Sequence, residues 1–278
     1  MQIATFSGTK AVLEKYGLRA RKSLGQNFLV DPHVLGKIIR AADIGPGDTV
    51  LEIGPGIGGL TQALSETGAQ VLAVELDGRL VEVLKDNRFP NAEIVQGDIL
   101  QYVIPGHINK VVANLPYYVT TPVVMRLLEH YRFKSVTVMV QKEVAQRMVS
   151  RHGSKSYGAL SLAVQYHASC EIAANVPPNS FMPRPRVGSA VVHMNVYDKP
   201  PVSLSLDVDK DALFANIRAG FGKRRKTLVN SLFSAEIYPL SKEALAAAIV
   251  SCGFSENIRG EALSLQDWAG LTKALAAL

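Results

Sequence analysis

The sequence predicts an α/β fold with an open sheet, followed by a small all-helical domain. Short β-branched runs alternate with segments in which apolar residues recur at helical spacing, as is typical of α/β proteins. The first run, 49–53, leads directly into the glycine-rich segment 54–59 and a predicted helix. After the proline-containing linker 199–201 the pattern is helical. We therefore predict two domains, 1–198 and 199–278.

Helix signals occur at both ends of the chain. An arm, 1–30, precedes a helix that begins at Asp31 and Pro32, an N-cap followed by a first helical residue. Ser264 and Asp267 form a capping-box-like start near the C-terminus. The helices predicted in the C-terminal domain cover 212–221 with a continuation into the basic run 223–226, 241–252 and 265–278.

Composition and cysteine usage exclude several classes of protein. The chain has 278 residues, 47% hydrophobic and 19% charged, and no window approaches the roughly 18 to 20 apolar residues of a membrane span. The start lacks a secretory signal, so we expect a cytoplasmic protein. Cys170 and Cys252 lie far apart, which excludes a disulfide framework or a thiolate zinc cluster. The six histidines show no metal-ligand spacing. We predict no metal and no membrane partner.

Basic residues are concentrated in four clusters. The net charge of +6 is a moderate excess that favours a polyanionic partner. A single basic run is usually a solvated helix face, whereas four clusters indicate nucleic acid. The clusters are Arg19, Arg21 and Lys22; Arg147, Arg151 and Lys155; Arg184 and Arg186; and the run Lys223, Arg224, Arg225 and Lys226.

Four successive β-prone runs end in residues suited to ligand binding. Gly54 and Gly56 follow the first run, and Glu75 ends the second. Asp98 follows the third run and Asn114 ends the fourth. Ligands of open α/β sheets lie along the carboxyl edge of the strands, so we expect these residues to line one site. The glycine loop alone fits a dinucleotide enzyme or an S-adenosylmethionine (AdoMet) enzyme, and Glu75 has the spacing of a ribose-binding carboxylate.

The segment Asn114-Leu115-Pro116-Tyr117 is the candidate catalytic motif. A side-chain amide, a proline-fixed backbone and an aromatic ring at a strand end can hold a flat base by its edge and its face. A proline-containing loop with a capping asparagine is the alternative interpretation. A further aromatic residue, Phe181, lies in a stiff proline-rich loop, and its alternative role is that of an ordinary core residue.

These motifs, in this order, resemble the rRNA adenine dimethyltransferase family of the KsgA type, to which the Erm methyltransferases are related. The resemblance runs from about residue 22 to residue 278. The chain departs from the family pattern at Arg186 and Gly188, neither of them a proposed catalytic group. The motifs are Gln26-Asn27-Phe28-Leu29, Glu52 to Gly58, Glu75, Gly97-Asp98, Asn114-Leu115-Pro116-Tyr117 and Phe181-x-Pro-x-Pro.

The resemblance implies a fold, an activity and a partner. The fold is a Rossmann-like class I AdoMet-dependent methyltransferase domain with a small helical domain that binds RNA. The activity is dimethylation of the 6-amino groups of two adjacent adenosines, in a hairpin near the end of small-subunit (16S) rRNA. The expected partner is this rRNA within an immature 30S particle, in small-subunit biogenesis, and we expect a monomer.

The resemblance also implies roles for individual residues. The cofactor-binding residues would be Asn27, Leu29, Gly54, Gly56, Glu75, Asp98 and Asn114. The catalytic residues would be Asn114, Leu115, Pro116, Tyr117 and Phe181, with the two aromatic rings around an extruded base. The RNA-binding residues would be Arg21, Lys22, Arg147, Lys155, Arg184, Arg186, Lys223, Arg224, Arg225 and Lys226.

Other functions stay open at this point. A DNA or protein amino-methyltransferase is the nearest alternative, because related Asn-x-Pro-Tyr sites act on other amines. A ribosome-assembly factor whose catalysis is secondary is an alternative from a different class. A dinucleotide oxidoreductase is disfavoured by Asp98 and Asn114 in register, and the signature of a zinc deaminase is missing.

Overall fold

The computed structural model describes residues 2–202, 209–223 and 225–278. Contacts divide the chain into two compact units. The first comprises Met1–Ala145 and Ser169–Val196, and the second comprises Gln146–Ala168 and Tyr197–Leu278. Arg224, one of the predicted RNA-binding residues, lies outside the described residues.

Strands and helices alternate through the first unit, and helices make up most of the second. The strands of the described residues are β1 (Phe28–Leu29), β2 (Thr49–Ile53), β3 (Gln70–Glu75), β4 (Ala92–Gln96), β5 (Lys110–Asn114), β6 (Ser135–Gln141), β7 (Ala168–Val176), β8 (Phe181–Met182) and β9 (Ser189–Val196). The α-helices are α1 (Phe6–Lys15), α2 (Pro32–Ala42), α3 (Gly59–Glu66), α4 (Gly78–Asn87), α5 (Thr120–His130), α6 (Lys142–Val149), α7 (Ala159–His167), α8 (Lys210–Gly222), α9 (Leu228–Ala235), α10 (Lys242–Ser251) and α11 (Leu265–Ala276). Among these described helices, none is long and apolar enough to cross a membrane.

The main sheet confirms the predicted α/β fold. Its strand order in the described residues is β4-β3-β2-β5-β6-β9-β7. Strands β4, β3, β2, β5 and β6 pair in parallel, and β9 pairs antiparallel with β6. The register places Ile53 beside Val74 on one side and Ala113 on the other. The carboxyl ends of the three central strands therefore lie side by side, which positions the residues that follow them at one edge.

Apolar residues of α2, the helix that follows the arm, pack against the main sheet. The helix begins as predicted, because the Asp31 carboxylate accepts hydrogen bonds from the backbone N–H groups of His33 and Val34 at 3.0 and 3.3 Å. Its buried residues Val34 and Ile38 belong to a core that includes residues of β2, β3 and β5. This packing holds the start of α2, and the arm segment before it, against the sheet.

Helices α1 and α9 of the structure were not predicted, and one predicted helix is shorter. Helix α1 lies within the arm, where Thr5 is its N-cap and accepts from the Gly8 N–H at 3.0 Å. Helix α8 ends at Gly222, before the basic run, so the predicted continuation into that run is wrong. Thr227 begins a separate helix, α9, as its N-cap.

The segment Gln146–Ala168 belongs to the second unit, although the predicted boundary at residue 198 placed it in the first domain. It groups with the second unit, because α7 buries Leu162 and Tyr166 in a core that contains Trp268. The Tyr157 hydroxyl also donates to the Leu263 carbonyl at 2.9 Å. Local sequence signals could not reveal this grouping, since it depends on apolar contacts between residues about a hundred positions apart.

Candidate active site

A cavity lies at the carboxyl edge of the main sheet. Its walls come from the segments that follow β2, β3, β4 and β5, together with the arm segment 24–29. Every predicted cofactor-binding residue lines this cavity, as do four of the five predicted catalytic residues. These lining residues are Asn27, Leu29, Gly54, Gly56, Glu75, Asp98, Asn114, Leu115, Pro116 and Tyr117.

The glycine loop brings backbone atoms to the cavity wall. Gly54, Gly56 and Gly58 have φ values of 65°, 63° and 94°, which disfavour residues with a side chain. A Cβ atom at Gly58 would lie 2.5 Å from the Phe89 ring, so this turn is also closed to larger residues by packing. A Cβ at Gly54 would meet no atom within 4 Å. The backbone at Gly54 thus faces open space in which a ligand can approach it closely.

Glu75 is held by two backbone donors. Its Oε2 accepts from the Gly56 N–H at 3.0 Å, and its Oε1 accepts from the Asp77 N–H at 2.9 Å. Burial raises the pKa of this carboxyl, and the backbone N–H groups partly oppose the rise. Each carboxylate oxygen can accept more than one hydrogen bond. Glu75 can therefore accept two adjacent hydroxyl groups, the arrangement of a ribose.

Asp98 stands at the next strand end. Its Oδ1 accepts from the Leu100 N–H at 2.9 Å, which fixes the carboxylate at the cavity wall. The carboxylate retains acceptor capacity for an exocyclic amine. Leu76 and Ile99, which also line the cavity, provide apolar contact for a flat ring near the two acids.

Glu52 is a site residue for which the sequence predicted no role. It lies on β2, lines the cavity and is 1% exposed, and neither of its carboxylate oxygens has a hydrogen-bond partner among the described residues. Burial raises the pKa of Glu52 to about 8, the nearby Thr61 hydroxyl opposes the rise, and the Glu75 carboxylate adds to it. A strand with one acid among apolar residues is the signal that marks it.

The protonation of Glu52 predicts a pH-dependent stability. Below about pH 8 the folded protein keeps a proton on Glu52, whereas the unfolded chain loses it near the ordinary value of 4.5. The folded state binds the extra proton, so stability contributed by this group falls as the pH rises from about 4.5 to about 8. Because glutamine does not ionise, Glu52→Gln should remove this loss of stability at high pH. We expect the melting temperature of the cofactor-free variant to exceed that of the wild type at about pH 9.

Thermal unfolding between about pH 5 and pH 9 measures this difference. Glu93→Gln is the matched control, because Glu93 is an exposed residue of β4. It should keep the wild-type pH dependence. Equal pH dependence of Glu52→Gln and the wild type would show that Glu52 ionises normally in the folded protein.

Asn114 is oriented by the arm. Its Nδ2 donates to the backbone carbonyl of Asn27 at 3.2 Å. A carbonyl can only accept, so the amide group of Asn114 must present its nitrogen to the arm. The acceptor oxygen Oδ1 then remains for a ligand in the cavity.

The backbone of the motif offers one further acceptor. The Pro116 carbonyl already accepts from the Val119 N–H and the Thr120 hydroxyl, each at 3.2 Å. The Leu115 N–H donates to the Met139 carbonyl of β6 at 3.1 Å, which ties the motif to the sheet. Because the Pro116 carbonyl already has two donors, the Leu115 carbonyl is the better placed of the two to accept from a substrate.

The two tyrosines of this region differ in exposure. The Tyr117 hydroxyl is hydrogen-bonded to the Ser189 hydroxyl at 2.7 Å, and burial raises its pKa. Tyr118, which was not predicted from the sequence, is 58% exposed and lies at the cavity wall. Its ring packs beside Gly25, where a Cβ would be 3.3 Å from it.

The structure does not bring Phe181 to the cavity. The residue is 4% exposed and belongs to the hydrophobic core with α2 and the sheet. Strand β8 pairs with β1, which places Phe181 opposite Leu29, so its backbone supports the arm. The role of this ring around an extruded base therefore stays a prediction. The burial observed here fits the alternative of an ordinary core residue, because burial of a large aromatic ring is strongly favourable.

The predicted RNA-binding residues that the structure describes are all exposed. Arg21 also forms an ion pair within the first unit, since one of its guanidinium nitrogens lies 3.7 Å from a carboxylate oxygen of Asp77. Those of the first unit are Arg21, Lys22, Arg184 and Arg186, and those of the second are Arg147, Lys155, Lys223, Arg225 and Lys226. In the described part of the chain no group of three or more metal-ligating side chains could hold a metal ion.

The cavity suits AdoMet better than a dinucleotide. The open space at Gly54 admits close approach of a ligand, and Glu52 also lines the cavity with a carboxyl oxygen that has no partner among the described residues and can accept from an ammonium group. Glu75 and Asp98 offer acceptors to a ribose and to an adenine amine at successive strand ends. Fold and site together define a class I AdoMet-dependent methyltransferase.

A family model described as "Ribosomal RNA adenine dimethylase" matches residues 17–272. The chain belongs to this family, which confirms the resemblance found in the sequence.

Relatives and solved structures agree with this assignment. The "Ribosomal RNA small subunit methyltransferase A" of Lachnoclostridium phytofermentans is 50% identical over 275 residues, covering 95% of this chain and 94% of the relative. That of Alkaliphilus metalliredigens is 46% identical over 287 residues, covering 99% of each. A dimethyladenosine transferase from Plasmodium falciparum has a TM-score of 0.74 at 28% identity, covering 87% of this chain and 95% of that one. The 23S rRNA methyltransferase ErmE has a TM-score of 0.70 at 25% identity, covering 90% and 99%.

Proposed function

We propose that this enzyme dimethylates the 6-amino groups of two adjacent adenosines in a hairpin near the end of 16S rRNA. It would act as a cytoplasmic monomer, without a metal, on an immature 30S particle during small-subunit biogenesis. The names of the relatives support the small-subunit substrate. The observation that carries the chemistry is the hydrogen bond from Asn114 Nδ2 to the Asn27 carbonyl, which leaves Oδ1 to accept from an amine.

The proposed chemistry depends on positioning. The lone pair of an adenine 6-amino group is delocalised into the ring, and the cofactor supplies a methyl group already activated on a sulfonium. Asn114 Oδ1 accepts one N–H of the amine, and the Leu115 carbonyl accepts the other. Both acceptors stabilise the positive charge that develops on the nitrogen. The product amine loses its proton readily, so no general base is required.

Aromatic residues would hold the extruded base. Tyr117 is fixed by its bond to Ser189 and lines the cavity, so it can present a ring face. Tyr118 is exposed at the cavity wall and can contact the base or its neighbour. Aromatic faces also tolerate a nascent cation. With Phe181 in the core, we assign base stacking to these two tyrosines.

One experiment tests the substrate directly. The protein is incubated with labelled AdoMet and unmodified small ribosomal subunits, and nucleoside analysis distinguishes mono- from dimethyladenine. Mapping of the label should identify two adjacent adenosines. DNA and protein mixtures serve as parallel substrates. Label on DNA or on protein in place of rRNA would support the alternative amino-methyltransferases.

Neutralising the basic run of the second unit should weaken RNA binding. Lys223, Arg225 and Lys226 are exposed, so each can reach a phosphate of the RNA. In the triple variant Lys223→Gln, Arg225→Gln, Lys226→Gln, the slope of log affinity against log salt should become shallower. The change should be about 0.7 to 0.9 for each phosphate that the variant no longer neutralises. Titrations of labelled rRNA at several salt concentrations measure this slope.

A second triple variant provides the control for net charge. Lys10, Lys37 and Lys85 are exposed and lie outside the predicted clusters. Their replacement by glutamine removes the same charge and should leave the salt slope close to that of the wild type. Equal slopes for the two variants would mean that the run at 223–226 is only a solvated surface.

A further inference from the structure

Gln26 is a member of the arm motif to which no role has been assigned, and its side chain contacts the turn after β3. Its Nε2 donates to Asp77 Oδ2 at 3.1 Å, a contact between residues 51 positions apart. Its Oε1 accepts from the Arg21 N–H at 2.8 Å, which closes the turn of the arm. Both ends of the amide group are therefore used, and they determine its orientation.

Asp77 belongs to the turn that carries the ribose-binding acid. It follows Glu75 by two residues, and its own N–H donates to Glu75 Oε1. Its side chain is 2% exposed, caps α4 through the Arg79 N–H, and is paired with the Arg79 guanidinium at 2.7 Å. The carboxylate is thus a rigid acceptor at the edge of the cavity.

The residues after Gln26 form part of the cavity wall. Asn27 supplies the carbonyl that accepts from Asn114 Nδ2. Phe28 packs on the glycine loop, where a Cβ at Gly56 would lie 3.2 Å from its ring. Strand β1 then pairs with β8. The bond at Gln26 therefore restrains the earlier part of segment 24–29, and the pairing with β8 restrains its end at Phe28 and Leu29.

We propose that Gln26 and Asp77 form a latch that holds arm residues 24–29 over the cofactor and so fixes the carbonyl that orients Asn114. Both are positioning residues, since they act through Asn27. The inference rests on AdoMet binding at this site and extends the proposed function. A hydrogen bond to a charged group corresponds to about 10- to 150-fold in an equilibrium constant, which sets the size of effect to expect.

Inversion of the donor and the acceptor tests the latch. Gln26→Glu places a second carboxylate against Asp77, and we expect AdoMet to dissociate about 10- to 100-fold faster. Adding Asp77→Asn restores an N–H to carboxylate bond in the reverse direction. Asparagine is as good an N-cap as aspartate, so α4 keeps its cap. The rate at which AdoMet dissociates from the double variant should lie within about threefold of the rate for Asp77→Asn alone.

Stopped-flow dissociation and equilibrium binding of AdoMet to the full chain measure this effect without RNA. Asp86→Asn is the matched control, because Asp86 also joins α4 to the arm, through Lys15 at 3.0 Å, but Lys15 lies outside the segment 24–29 that lines the cavity. It should keep wild-type dissociation. Methylation at saturating AdoMet should show a lower kcat for Gln26→Glu and recovery in the double variant, because the orientation of Asn114 follows the latch.

The outcomes separate the latch from the proposed substrate. The latch is overturned if AdoMet dissociates from Gln26→Glu at the wild-type rate. It is also overturned if AdoMet dissociates from the double variant as fast as from Gln26→Glu. An equally large effect of Asp86→Asn also overturns it, because any contact between arm and helix would then suffice. Failure of the wild type to methylate small subunits would overturn the proposed function and leave the binding result intact.

Discussion

Replacing Asn114 with alanine should reduce the kcat of methyl transfer by about 10²- to 10³-fold, as for the loss of one preorganised polar group in an active site. The alanine removes Oδ1, the acceptor for the substrate amine. Folding should persist, because β5 keeps its ladders to β2 and β6. Single-turnover methylation of unmodified small subunits measures kcat, and thermal unfolding reports on the fold.

Two further variants define what Asn114 does. Asn114→Asp keeps acceptor oxygens but cannot donate to the Asn27 carbonyl, so the side chain should no longer be oriented and kcat should also fall. Asn195→Ala removes an exposed asparagine of β9 that does not line the cavity, and its kcat should equal that of the wild type. Near-normal turnover of Asn114→Ala would contradict the acceptor role.

Replacing Glu75 with alanine should raise the dissociation constant of AdoMet by about 10²-fold or more. Hydrogen bonds to a charged group contribute about 1.5 to 3 kcal/mol each, and a ribose offers two hydroxyl groups. The variant also frees the N–H groups of Gly56 and Asp77, which the carboxylate holds at 3.0 and 2.9 Å. Isothermal titration calorimetry measures the affinity directly.

Glu93→Ala is the control for Glu75. Glu93 lies on the adjacent strand β4 and is exposed, so its removal should leave AdoMet affinity unchanged. Comparison of the melting temperatures separates a binding defect from a folding defect. If Glu75→Ala bound AdoMet with wild-type affinity, the carboxylate would be a structural anchor of the glycine loop and not a ligand of the cofactor.

Local signals predicted most of the framework correctly. The Asp31 cap of α2 and the capping box of Ser264 and Asp267 are present as expected, because caps depend on residues three positions apart. The short buried runs became parallel strands, since continuous apolar β-branched segments favour a sheet covered on both faces. The same local logic failed at the basic run, where a turn at Lys223 replaces the predicted continuation of α8.

Long-range contacts account for what was missed. Phe181 was open between a stacking role and the core, and the structure buries its ring against α2 and the sheet, which come from distant parts of the chain. Glu52 was assigned no role, because an acid among apolar strand residues marks a candidate but only the folded structure shows that its side chain is completely buried. The segment Gln146–Ala168 joins the second unit through apolar contacts with α8 and α11.

The sequence by itself determined the edge at which the cofactor and the substrate amine meet. Parallel strands bring their carboxyl ends together, so Gly54, Glu75, Asp98 and Asn114 had to converge once the strands were recognised. The tertiary structure alone decided which atoms of those residues face the cavity. The amide of Asn114 is oriented by a carbonyl 87 positions away, and such an orientation depends on a partner that only folding brings near.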